Sequence, residues 1–150
     1  MIYSAALFVD TWGWIALEDG RDPSHAAVAA IHRQQSETRA AWVTTDYVID
    51  ETCTRLFAQR PFGEAERFFN GIFASRDAGH IRIEAIDPDR FQAAWRLRLR
   101  YRDKPRISFT DFTSFAVMRE LGIRRVLTAD AHFEQVRLGF QVVPGRQRGS

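Results

Sequence analysis

AALFVD, residues 5–10, is a run of five apolar residues stopped by an aspartate. A short continuous apolar run that ends in a polar residue is what a strand buried on both faces looks like. Such strands belong to parallel sheets, whose crossover connections lay helices over the faces. The rest of the chain keeps to that plan. Further strands are expected at Trp42–Thr44, Ile81–Ala85 (IRIEA), Arg125–Thr128 (RVLT) and Phe140–Val143 (FQVV). Helices are expected between them. Pro23–Gln35 has Pro23 just inside its start and Ala27, Ala30 and Ile31 at helical spacing. Asp46–Gln59 follows a capping Thr45 and is halted by Pro61. Gly63–Ala74 carries Phe68, Phe69, Ile72 and Phe73, and Pro88 opens a helix toward Tyr101. Phe109–Leu121 is strongly apolar and stops at Gly122, and a short helix spans about Ala131–Val136. Strands alternating with helices predict an α/β chain with a central parallel sheet covered on both faces.

Composition agrees with a packed interior. Of 150 residues, 45% are hydrophobic and 13% aromatic, enough to build a core without disulfide staples. Cys53 is the only cysteine, so no intramolecular disulfide can form. Without repeats or a Pro/Gly linker, residues 1–150 read as a single domain, with about 144–150 a basic, flexible tail. No segment is apolar for long enough to span a bilayer. The run Ile2–Val9 lacks a basic leader and ends in an aspartate, so it reads as a strand rather than a signal peptide, and the expected location is cytoplasmic.

A net charge of +2 says little about partners, but its distribution says more. Arg96, Arg98, Arg100, Arg102, Lys104 and Arg106 crowd one stretch, and Arg124, Arg125, Arg137, Arg146 and Arg148 lie nearer the C-terminus. A solvated helix face plus a loose tail is the plain explanation. A basic surface beside an acidic pocket is also what a phosphodiesterase needs.

Four carboxylates supply such a pocket. In open parallel sheets ligands bind beyond the carboxyl ends of the strands. Asp10 stands there after the most hydrophobic strand, and Asp130 follows Val126–Leu127–Thr128 in the same way. Asp111 falls in the first turn of its helix and shares a face with Phe115 and Met118, so it turns toward the core. Glu51 lies on another helix near that edge, with Asp50 a rival and Arg55 placed for an ordinary i,i+4 pair. Singly, each has a structural explanation as a strand end, a cap or a surface charge. Together they need a cation, because two carboxylates about 4 Å apart repel by about 4 kcal/mol at an effective dielectric of 20. All-oxygen ligands favour Mg²⁺ or Mn²⁺, and His25, His32, His80 and His132 are scattered without zinc spacing.

These pieces together resemble the PIN-domain nucleases, and particularly the VapC-like ribonuclease toxins of bacterial toxin–antitoxin pairs. The matching segments are FVDT (Phe8–Thr11), TTDYVIDE (Thr44–Glu51), SFTDFTSFAVM (Ser108–Met118) and LTADAHF (Leu127–Phe133). The resemblance implies a PIN-like three-layer α/β/α sandwich and Mg²⁺- or Mn²⁺-dependent cleavage of single-stranded RNA. Its acidic quartet carries over to Asp10, Glu51, Asp111 and Asp130, which resolves Glu51 over Asp50, with Thr11 and Thr128 in support. It also implies a homodimer and inhibition by a cognate antitoxin. Ala131 departs from the pattern, since many relatives carry a larger or basic residue there. Arg55, Arg100, Arg102 and Lys104 are the candidates for holding the RNA backbone.

Rival readings fare worse on the residues. Phosphoryl transfer with Asp10 as nucleophile wants a second aspartate two positions on, where Trp12 stands. A phosphoreceiver domain wants an acidic pair before the end of the first strand, yet no acidic residue precedes Asp10. The alternative from another class is a catalytically silent module that keeps the fold to bind RNA or protein.

Overall fold

The computed structural model describes Tyr3 and residues 5–145. The expected basic tail falls mostly on Arg146–Ser150, outside the described residues.

Five short strands form one parallel sheet: β1 Leu7–Val9, β2 Trp42–Thr45, β3 Ile81–Glu84, β4 Arg125–Leu127 and β5 Gln141–Val143, in the order β3-β2-β1-β4-β5. Among the described residues seven helices accompany them: α1 Thr11–Glu18, α2 His25–Thr38, α3 Asp46–Gln59, α4 Phe62–Asp77, α5 Pro88–Arg100, α6 Phe109–Leu121 and α7 His132–Gln135. This is the expected α/β architecture, a parallel sheet flanked by helices.

β1 is the middle strand, which is why AALFV is apolar throughout. Leu7, Phe8 and Val9 are all fully buried. Burying such a side chain contributes about 1.5–3 kcal/mol. Phe112, Phe115 and Phe133 join them, with Phe115 and Phe133 packed edge to face at 5.6 and 4.9 Å from their neighbours Phe112 and Phe115. Trp14, Phe69 and Ile72 are buried as well, so the α1 and α4 aromatics serve chiefly as core.

Helix ends follow their capping residues. Thr45 Oγ1 accepts from the Val48 amide at 3.1 Å and starts α3, while Ser108 Oγ accepts from the Asp111 amide at 3.1 Å and starts α6. α6 stops at Gly122, whose φ of 70° is the left-handed end that glycine tolerates best. Asp87 caps α5 by accepting from the Arg90 amide at 2.8 Å.

α1 is the helix that periodicity does not reveal. Thr11, Gly13, Trp14 and Ala16 are all buried, leaving little polar contrast to mark a face. It starts immediately after β1, and Gly13 lets it press against β4: a Cβ there would sit 2.7 Å from the Leu127 carbonyl oxygen.

The strand order also locates a ligand site. The chain adds β2 and then β3 on one side of β1, and then returns to place β4 on the other. The crevice at this reversal, between the carboxyl ends of β1 and β4, is where open parallel sheets receive ligands.

Candidate metal centre

Asp10 and Thr128 stand side by side at that crevice because β1 and β4 are in register, with Val9 opposite Leu127. Both side chains are buried, and Thr128 Oγ1 donates to Asp10 Oδ2 at 2.9 Å. The same hydroxyl oxygen accepts from the Asp130 amide at 3.0 Å, which folds the chain back after β4. Asp130 Oδ1 in turn accepts from the His132 amide at 2.9 Å, an Asx-type turn into α7.

Asp111 arrives from α6. The Ser108 cap sets the first turn, and the buried stripe of Phe112, Phe115 and Met118 orients the helix against the sheet. Asp111 is itself only 7% exposed. His132 Nδ1 lies 3.2 Å from Asp111 Oδ2 and 3.1 Å from Asp130 Oδ1. Ligand atoms of Asp111, Asp130 and His132 all lie within 4.8 Å of one another.

The charges report the same convergence. Burial pushes the Asp10 carboxyl up to about 6, opposed by its hydrogen bonds from Thr128 and the Thr11 amide and reinforced by Glu51 and Asp130. Burial again, followed by repulsion from Asp10, Asp130 and Glu51, pushes Asp111 up to about 9. Thus Glu51 and Asp130 both act electrostatically on Asp10 and on Asp111. Glu51 holds the outer place: it is half-buried on α3 and its nearest basic group is Arg55 Nη2 at 3.9 Å. Asp50 is exposed.

Thr11 adjoins Asp10 at the start of α1. It is buried, its hydroxyl accepts from Thr52 Oγ1 at 3.3 Å, and its backbone amide donates to Asp10. His132 is one of four histidines scattered through the sequence, and the sequence expectation does not include it in the site. The available signal was its spacing, two residues beyond Asp130 in LTADAHF, which lets one tight turn present both groups.

The basic candidates divide. Arg98 is occupied structurally, donating to the carbonyls of Tyr101, Lys104 and Ile107 with its guanidinium 4.5 Å from the Phe112 ring centroid. Lys104 pairs with Asp103 at 3.0 Å. Arg100 and Arg102 are exposed, and the segment they border leads into the Ser108 cap and hence to Asp111. A separate apolar groove of about 950 Å³, with Trp14, Trp42 and Phe68 in its walls, contains none of the four carboxylates.

Two buried and two half-buried carboxylates with one imidazole, the nearby charges raising the proton affinity of Asp10 and Asp111, fit a hard divalent cation. The donors are those that Mg²⁺ or Mn²⁺ takes, and a dication would remove the repulsion that now favours protonation. Residues 7–138 match the PIN-domain family. The chain belongs to that family. In this PIN-domain protein the cluster of Asp111, Asp130 and His132 lies beside Asp10 at the sheet's reversal point. Among known proteins it is similar to the 23S rRNA-specific endonuclease VapC20 of Mycobacterium tuberculosis, with 33% identity over 127 residues, covering 85% of this chain and 91% of the relative. The same similarity holds for VapC20 from a second strain of that organism. The crystal structure of M. tuberculosis VapC20, described as a Sarcin-Ricin loop cleaving toxin, superposes with a TM-score of 0.72 at 29% identity. That match covers 90% of this chain and 96% of the other.

Proposed function

We propose that this protein is a Mg²⁺- or Mn²⁺-dependent endoribonuclease and the toxin of a toxin–antitoxin pair, working in the cytoplasm. The observation that carries the reading is geometric: ligand atoms of Asp111, Asp130 and His132 lie within 4.8 Å of one another, and Thr128 ties buried Asp10 to the same turn. Carboxylates held in that state are poised for a cation rather than for a salt bridge.

In this reading Asp10 and Asp111 hold the cation most directly, and Glu51 and Asp130 complete the shell or act through its waters. His132 stands beside Asp111 and Asp130 as a further donor. When bound, the cation lowers the pKa of a coordinated water and draws charge from the scissile phosphate. Thr128 fixes the Asp10 carboxylate through its hydroxyl, and the Thr11 amide holds Asp10. Arg55, Arg100, Arg102 and Lys104 bind the RNA backbone, giving salt-dependent affinity with little base choice.

The test is cleavage of a 23S rRNA fragment and of an unstructured RNA with Mg²⁺, Mn²⁺ or EDTA, for wild type and Asp10→Asn. Metal-dependent cleavage lost in the variant is expected. RNA bound with no turnover at any metal concentration would instead identify a silent binding module. A cognate antitoxin is expected to suppress the cleavage on mixing.

The protein is also proposed to form a homodimer through α5. Phe91, Trp95 and Leu99, four residues apart, form a stripe exposed at 41%, 47% and 47%. Trp95 lies near the middle of the helix, with Asp89 toward one end and Arg102 just past the other. Antiparallel pairing about a two-fold axis at Trp95 sets Phe91 against the copy's Leu99 and acidic end against basic end, the self-complementarity such symmetry demands. Sedimentation of wild type as a dimer and of Trp95→Glu as a monomer is expected; equal mass for both would refute this interface.

A further inference from the structure

We propose that the groove between α5 and α6 is a second phosphate-binding site, which grips RNA backbone away from the carboxylates. The inference rests on the ribonuclease reading above. The groove has a volume of about 310 Å³ and is lined by Arg96 and Arg100 of α5 and by Arg119 of α6, over a floor of Ala93, Leu97 and Ala116.

Its form follows from the two helices. Arg96 and Arg100 are one turn apart and share a face of α5. The small side chains of Ala93 and Ala116 leave a gap where two larger residues would close the helices together. Arg119 reaches the same gap from the facing helix. All three arginines are exposed, and none makes a salt bridge among the described residues.

That pattern is unlike the other arginines nearby. Arg90 pairs with both Glu84 and Glu120, so the glutamate next to Arg119 is already engaged, at 2.6 Å. Arg98 is held by three carbonyls. Three arginines lining one open groove with no carboxylate in its lining is the inverse of the acidic cluster, and it favours an anion. Arginine's planar fork suits phosphate oxygens, taken two at a time. The groove is open and its cations sit on two helices, which suits a diester in a chain better than a small anion sealed from water.

The site's role would be positional. Phosphate contacts set register without reading sequence, so occupancy should raise affinity for RNA long enough to span both places and leave short substrates alone.

The experiment compares wild type with Arg96→Gln/Arg119→Gln, using a short RNA of a few nucleotides and a long RNA fragment, with Mn²⁺ present. Expected is a KM for long RNA raised about tenfold at unchanged kcat, with the short RNA cleaved as by wild type. Binding of long RNA to the Asp111→Asn background should lose salt dependence, by about 0.7 in the log–log slope for each phosphate contact removed. Arg96→Lys/Arg119→Lys should restore that slope, showing that charge and not packing is responsible. An unchanged KM and slope for long RNA in the glutamine variant would overturn the groove while leaving the nuclease intact. So would an equal loss on short and long RNA, or a change in self-association alone. No cleavage of either RNA by the metal-loaded wild type would overturn both readings.

Discussion

Thr128 Oγ1 donates to Asp10 Oδ2 at 2.9 Å and accepts from the Asp130 amide at 3.0 Å, so one buried hydroxyl ties the carboxylate after β1 to the turn after β4. Thr128→Val keeps the shape and removes both bonds. Groups that orient metal ligands typically carry 10–100-fold in affinity or activity. The variant is expected to lose on the order of 10–100-fold in metal affinity and cleavage. Calorimetric titration with Mn²⁺ measures the first, and wild-type affinity in the variant would remove Thr128 from the support.

The cluster makes stability depend on pH with a definite sign. Asp10 and Asp111 hold protons more tightly folded than unfolded, where an aspartate titrates near 3.8. Their contribution is therefore fully present below that value and is lost as pH rises through about 6 for Asp10 and higher for Asp111. In EDTA, heating scans should show Tm falling between pH 4 and pH 9 on account of these groups. Mn²⁺ should reverse the trend, with its stabilisation growing as pH rises and protons released on binding. A metal effect independent of pH would contradict the cluster.

Asp111→Asn separates stability from activity. At pH 8 the folded chain must keep Asp111 protonated, a cost that asparagine avoids, so the variant should abolish cleavage while raising the metal-free Tm. A gain of about 2 kcal/mol is expected, at about 1.4 kcal/mol per unit of displaced proton affinity. That is a shift of about 4–8 °C for a chain of this size. A lower Tm in EDTA would mean that Asp111 is held by its neighbours rather than strained by them.

Gly13→Ala tests the close approach of α1 to β4. The new methyl carbon would sit 2.7 Å from Leu127 O and 2.9 Å from Leu127 Cγ, so backbone must shift. Overpacking of this kind costs about 1–3 kcal/mol. Because Thr11 and Asp10 immediately precede this helix turn, cleavage should fall along with Tm; a variant as stable as wild type would refute the contact.

Arg98→Ala should act on stability instead. It leaves three carbonyls without their charged donor, and hydrogen bonds to charged groups contribute about 1.5–3 kcal/mol. Urea melts should show a loss of at least about 2 kcal/mol. The salt dependence of RNA binding should stay as in wild type, and a reduced slope would place Arg98 among the RNA contacts instead.

Much of this was legible in the chain itself. A run such as Leu7–Phe8–Val9 has one stable use, as the covered middle of a parallel sheet, and Thr45 announces the helix it caps because capping is a local interaction. Carboxylates at the ends of such strands and in the first turn of α6 are likewise placed by local rules. α1 escaped because burial on most sides erases the polar contrast that periodicity detects. What only the tertiary structure decided are relations between distant residues: His132 swinging onto Asp111, Arg98 turned inward to carbonyls while Arg96, Arg100 and Arg119 face one groove, and the elevation of Asp10 by neighbours up to 120 residues away. Proton affinity and charge convergence depend on distance in space and on excluded water, and neither is a property of any one stretch of sequence.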